Sequence, residues 1–214
     1  MGLNVIGASV FVFISGYMST SHFDIEGEGD QRSSSTLTLH GLGEELERAR
    51  SEVLEVFPSS LRHKVASLRC QVIIASTTQE FVRRSGVGPY HAAGSRGQML
   101  FFQPFSLLAR YPDLASVIRH EYTHVVLERL YGQRLSRWLS EGLAMHISGE
   151  RPPPPVNTPP TEKNLHLAEK ILSEGRNPEK MKWAYRLAFD SVRARTKNKG
   201  IQVFLTELTR KGID

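Results

Sequence analysis

Residues 113–148 read DLASVIRHEYTHVVLERLYGQRLSRWLSEGLAMHIS, and the reading of the chain follows from this stretch. Asp113, directly after Pro112, is a helix start and Gly132 a stop, so 113–131 is predicted as one helix of ordinary length. Leu114, Ile118, Val125 and Leu130 fit its buried side. His120 and His124 stand four apart on that helix and project the same way, the spacing with which two imidazoles grip a zinc ion. Catalytic zinc sites supply three protein ligands and leave a position for water. The third is read as Glu141, on a second helix over 134–148 that a short Gly132-containing connection brings alongside. Glu121, between the histidines, is placed as a general base toward metal-activated water.

Taken together, His120-Glu121-Tyr122-Thr123-His124 and Trp138-Leu139-Ser140-Glu141-Gly142-Leu143-Ala144 resemble the gluzincin metallopeptidases, most nearly the small peptidase MA-like group. The resemblance is strong across 113–148. It is weaker at Ser21–Ile25, at Gly97–Phe102 and from Val203 to Gly212, which look like an opening strand, the strand before the zinc helix and a closing helix. It implies zinc-dependent hydrolysis of peptide bonds, with one Zn2+ held by His120, His124 and Glu141, and with Glu121 as the base. Gluzincins commonly supply a tyrosine from a C-terminal helix to the developing oxyanion. Tyr185 is the candidate here, with His146 and His166 behind it and a half-buried packing role as the plainer alternative. The resemblance also places 98–103 at the edge of a sheet, where an extended substrate adds itself as a strand; an ordinary core strand is the competing reading.

Two departures matter. The Gly-x-Met-Glu-Asn segment with which aminopeptidases grip a free N-terminus is absent, which favours an endopeptidase. Thermolysin-like relatives often carry an orienting Asp four residues after the third ligand, and here that position is Met145. The groups that orient the ligands are therefore unassigned. The alternative to an active peptidase is a non-hydrolytic or latent zinc-stabilised binding module of the same fold.

Composition agrees with a folded enzyme. The chain has 214 residues, 40% hydrophobic and 23% charged, enough for a sizeable core and too little charge for global disorder. Its net charge is +5, but the basic residues are scattered, with mild concentration at Arg193–Lys199 and no accompanying nucleic-acid motif. The partner implied is a peptide or protein substrate, and no nucleic acid is expected. Cys70 is alone, which excludes an internal disulfide and a Cys-rich zinc site; beside Gln71–Ala75 it reads as a buried thiol. Residues 3–18 are apolar and uncharged. They are read as an export signal or membrane anchor in preference to a buried strand or helix, although a positive flank and a small-x-small cleavage site are missing.

Around the two motif helices the pattern gives an α+β protein. A small mixed-sheet lobe (21–110) packs on the zinc-binding helix pair (111–150), and a helical C-terminal lobe (162–214) follows. Strands are predicted at 23–26, 36–39, 71–76 and 98–103, with helices at 42–57 and 78–84. Residues 151–161 are proline-rich and read as a stiff spacer rather than a docking site for a proline-binding partner. Helices are predicted beyond it at 162–174, 178–196 and 200–211. Trp138 and Leu139 are expected to wedge the two motif helices together.

Overall fold

A computed structural model of the chain describes residues 12–14, 16–27, 37–175 and 177–210. The fold is α+β, a mixed sheet with helices followed by a helical C-terminal region. The strands are β1 (Val12–Ile14), β2 (Tyr17–Ser19), β3 (Phe23–Glu26), β4 (Cys70–Ile74), β5 (Ala93–Arg96) and β6 (Met99–Phe102). They form one six-stranded sheet in the order β1-β2-β3-β4-β6-β5. β3, β4 and β6 run parallel, and the outer strands pair antiparallel. The chain divides into two compact units, residues 1–51 with 67–122, and residues 52–66 with 123–214.

In the first unit the central strands are covered on both faces. Phe23 and Ile25 of β3, Val72 of β4 and Leu100 of β6 share one buried face. Helix α1 (Leu39–Val56) lies on this side. At Gly43 an added Cβ would stand 2.2 Å from Met18 Cε and 3.2 Å from Thr20 Cγ2, so glycine there lets the helix approach β2. Glu47 of α1 then accepts hydrogen bonds from the His22 backbone N–H (2.9 Å) and the Thr20 hydroxyl (2.6 Å). On the opposite face Ile73 and Phe101 pack with Ala75 and with Phe81 of α3 (Thr78–Ser85), and a short helix α4 (Phe105–Leu108) follows β6. Further along that face Asp24 takes hydrogen bonds from Arg69 Nε (2.6 Å) and the Tyr17 hydroxyl (2.7 Å). These bonds, Arg69's first, hold the Asp24 carboxyl well below the usual carboxylate range.

The second unit is helical. Helix α2 (Ser59–Val65) belongs to it, and helix α5 (Leu114–Tyr131) enters it at Thr123 and ends in a 3-10 turn at Gly132–Arg134. Then follow α6 (Arg137–Ser148), α7 (Glu162–Glu174), α8 (Pro178–Thr196) and α9 (Ile201–Arg210). The Thr161 hydroxyl accepts from Asn164 N–H at the start of α7, and Asn177 Oδ1 from Lys180 N–H at the start of α8. Leu165, Ala168 and Leu172 of α7 pack with Ala184 and Leu187 of α8. At Gly142 the backbone of α6 meets α8 closely, for an added Cβ would stand 2.5 Å from the Ala188 carbonyl oxygen. The Tyr131 hydroxyl, fully enclosed, donates to the Leu205 carbonyl at 2.9 Å and ties the end of α5 to α9. The proline-rich segment has no regular structure. It is pinned to α8, where Arg186 donates to the Pro153 carbonyl (3.0 Å) and Trp183 Nε1 to the Thr158 hydroxyl (3.3 Å).

Several readings are corrected. Leu39 opens α1 instead of ending a strand, because the Thr38 hydroxyl accepts from Gly41 N–H at 3.1 Å and turns the chain into the helix. Among the described residues the sheet has six strands where the sequence pattern predicts four, and β1, β2 and β5 are the additions. β6 is an inner strand, hydrogen-bonded on both sides, and the edge is β5. Trp138 packs against the α7–α8 cluster, with Arg195 over its ring at 5.0 Å, and Leu139 is buried. Within the apolar run 3–18, the described parts are strands β1 and β2, and Met18 is fully buried. Residues 3–11 and 15, which carry most of the export or anchor reading, lie outside the described residues, as do the polar turn at 28–36 and the chain end at 211–214. Among the described residues no helix is long and apolar enough to cross a membrane.

Candidate metal centre

Helix α5 places His120 and His124 one turn apart, and α6 presents Glu141. One ligand atom from each of the three residues lies within 4.8 Å of the others. The histidines are half-buried, and Glu141 is buried at 2% exposure. The sequence-predicted ligand set is therefore brought together as one group able to hold a metal ion.

One donor pair has the spacing of ligands on a tetrahedral ion. His124 Nε2 lies 3.4 Å from Glu141 Oε2. Two donors each ~2.1 Å from a tetrahedral zinc stand ~3.4 Å apart. The other imidazole nitrogen is engaged: His124 Nδ1 lies 2.9 Å from the Ser140 hydroxyl. With the ring proton on Nδ1, facing Ser140, the lone pair on Nε2 points toward a carboxylate oxygen. In that tautomer Nε2 and the carboxylate oxygen are both donors that one cation can share. The second oxygen, Glu141 Oε1, accepts from Arg137 Nε at 2.9 Å.

The start of α6 is fixed from outside the helix. Its N-cap residue, Ser136, makes no side-chain cap. Instead Glu169 of α7 accepts from the backbone N–H groups of Arg137 and Trp138, at 2.9 Å each. A carboxylate there satisfies two otherwise open donors and meets the positive end of the helix dipole.

Glu121 follows His120 on α5 and is half-buried. Its Oε2 accepts from the Ser95 hydroxyl on edge strand β5 at 2.8 Å. Sequence reasoning missed Ser95, Arg137, Ser140 and Glu169. The spacing 137-140-141 is the signal that could have found the pair on α6, because it puts three polar side chains on one helical face.

Tyr185 is half-buried on α8 and packs against the α7–α8 cluster. It precedes Ala188, where α8 meets Gly142, by one turn. His146 lies half-buried on α6 with its ring 6.1 Å from that of Phe189, and burial, then the nearby Arg193 charge, lowers its pKa. His166 is exposed on α7. Cys70 is buried, and burial pushes its thiol up to about 12, as expected of an inert core cysteine.

No known protein-family model matches this chain, and no curated protein matches it.

Proposed function

We propose that the chain is a zinc-dependent peptidase of gluzincin type, acting on internal bonds of extended polypeptides. The observation that carries this reading is Glu121. A site that only held a metal requires His120, His124 and Glu141, yet a carboxylate stands between the two histidines, steadied by Ser95. In this reading the three ligands hold one Zn2+. When bound, the ion supplies Lewis-acid polarisation of the scissile carbonyl and brings the pKa of water toward ~7. Glu121 accepts the proton of the attacking water and delivers it to the leaving amine. Ser95, bonded to Oε2, fixes the carboxylate orientation. Tyr185 donates its phenolic hydrogen to the developing oxyanion, as the resemblance implies.

Strand β5 supports the endopeptidase reading. It is a sheet edge, and the residue that bonds Glu121 sits on it. An extended segment adding to this edge engages main-chain groups, which requires no free terminus.

The test is cleavage of a diverse peptide library by zinc-loaded wild type and by Glu121→Gln, with new termini read by mass spectrometry. The proposal expects cuts by the wild type alone, with equal zinc content in both proteins. A wild type that holds zinc stoichiometrically and makes no cut would overturn the hydrolytic reading in favour of a zinc-stabilised binding module.

A further inference from the structure

The resemblance left the orienting partners of the ligands without residues, because Met145 occupies the position at which thermolysin-like relatives often carry an aspartate. Met145 is buried, and a thioether is too weak an acceptor to fix an imidazole. Helix α6 offers another solution. Arg137, Ser140 and Glu141 stand at i, i+3 and i+4, on one face. From that face Glu141 provides an oxygen beside His124 Nε2, Ser140 Oγ reaches His124 Nδ1 at 2.9 Å, and Arg137 Nε reaches Glu141 Oε1 at 2.9 Å.

We infer that Ser140 and Arg137 are the positioning residues of the metal centre, so that one turn of α6 carries a ligand together with the groups that orient that ligand and His124. The inference rests on the reading of His120, His124 and Glu141 as metal ligands. Ser140 acts through the imidazole. In the tautomer whose Nε2 lone pair is available, the Ser140 hydroxyl accepts from Nδ1–H, and that bond stops the ring from rotating about its χ2 bond. Arg137 acts through the carboxylate. By occupying Oε1 it leaves Oε2 as the ligand atom and makes Glu141 a one-oxygen donor. Glu169 secures the arrangement from behind, because it binds the backbone N–H of Arg137 itself.

The experiment measures zinc affinity of the intact chain by competition with a chromogenic chelator, together with the visible spectrum of the Co2+ form, for wild type, Ser140→Ala, Ser140→Thr and Arg137→Met. A His124→Ala variant reports loss of a ligand. Ser140→Ala is expected to bind zinc 10–100-fold more weakly. Ser140→Thr, which keeps the hydroxyl, should recover most of that loss. Arg137→Met should weaken binding by a similar factor and alter the Co2+ bands, as the carboxylate is freed to offer both oxygens. The urea midpoint of each metal-free variant is measured alongside. A merely structural serine would lower that midpoint without selective rescue by threonine. Wild-type affinity in Ser140→Ala, or a Ser140→Thr variant as weak as Ser140→Ala, overturns the role of Ser140. Unchanged affinity in Arg137→Met overturns that of Arg137. A wild type that binds no better than His124→Ala overturns the ligand reading itself, and so the failure of the premise is told apart from the failure of the inference.

Discussion

Replacing Gly142 with alanine sets two effects of opposite sign against each other. Helix propensity alone favours alanine over an interior glycine by ~1 kcal/mol. Against it stands the crossing with α8. A Cβ at this position would lie 2.5 Å from the Ala188 carbonyl oxygen, 2.9 Å from the Ala188 carbonyl carbon and 2.8 Å from Val192 Cγ2. The first two are backbone atoms inside a helix and cannot swing aside, so the helices must separate. A gap of ~0.5–1 Å forfeits a quarter to a half of each contact's attraction. Overpacking of this kind costs about 1–3 kcal/mol, and a backbone obstacle belongs at the upper end. The expected net result is a loss of about 1–2 kcal/mol in urea unfolding of the metal-free protein. Because Gly142 adjoins Glu141, zinc affinity should fall as well, by roughly tenfold. Gly41→Ala is the internal control: it lies in the first turn of α1, where the nearest atom to a new Cβ is Thr38 Oγ1 at an ordinary 3.5 Å. That variant should gain stability, by up to ~1 kcal/mol. A Gly142→Ala protein as stable as wild type, or more so, would refute the close-crossing argument.

Three other outcomes are expected. Glu169→Ala removes the acceptor of two backbone N–H groups at the start of α6 and should cost about 1–2 kcal/mol in urea unfolding, with Glu169→Gln recovering part of it; equal midpoints for all three proteins would dismiss the cap. Asp24→Asn should cost about 1–2 kcal/mol at neutral pH, because Arg69 and Tyr17 bond to the ionised carboxyl. Since the folded state holds that pKa below its unfolded value, the advantage of aspartate is full above about pH 4 and shrinks as the pH falls further; a gap between the two proteins that stays constant from pH 7 to pH 2.5 would contradict this. Cys70, buried with its thiol at about 12, should react with a disulfide reagent at pH 8 only as fast as the protein opens, and immediate labelling of the native chain would disprove its burial.

The helices of the C-terminal region were legible because their ends carry local chemistry. Thr161, the Asn177-Pro178 pair and Gly175 fix the bounds of α7 and α8, and those bounds match the reading at 162–174 and 178–196. The ligands were legible because a four-residue spacing on a helix is itself geometry. What escaped was whatever depends on a distant partner. Ala93–Arg96 has no alternation of apolar and polar residues, and it is a strand only because Gly97, at φ 59°, turns it back onto β6. Ser95 could not be seen beside Glu121 for that reason. Thr36–Leu39 alternates like a strand, yet the Thr38 hydroxyl caps α1 and overrides the pattern at Leu39. Within the apolar run at 3–18, composition does not show that Gly16, at φ 74°, turns β1 back onto β2 in the sheet, because that pairing depends on strands brought together by the fold.

Glu141 is the most deeply buried member of the group formed by His120, His124 and Glu141. Burying a carboxylate costs several kcal/mol unless a partner offsets it. Its charged neighbour, Arg137, keeps a side chain 56% exposed, so the attraction between them is screened by solvent. Its other oxygen lies 3.4 Å from His124 Nε2. Stability alone would favour an apolar side chain here, as at the neighbouring buried positions Leu143 and Met145. The carboxylate supplies instead a negative oxygen held beside His124 Nε2, on a helix whose first turn is tied down by Glu169 and whose middle is pressed against α8 at Gly142. A buried carboxylate held beside a histidine nitrogen, on a helix fixed at Glu169 and at Gly142, is what the proposed metal site requires of this position.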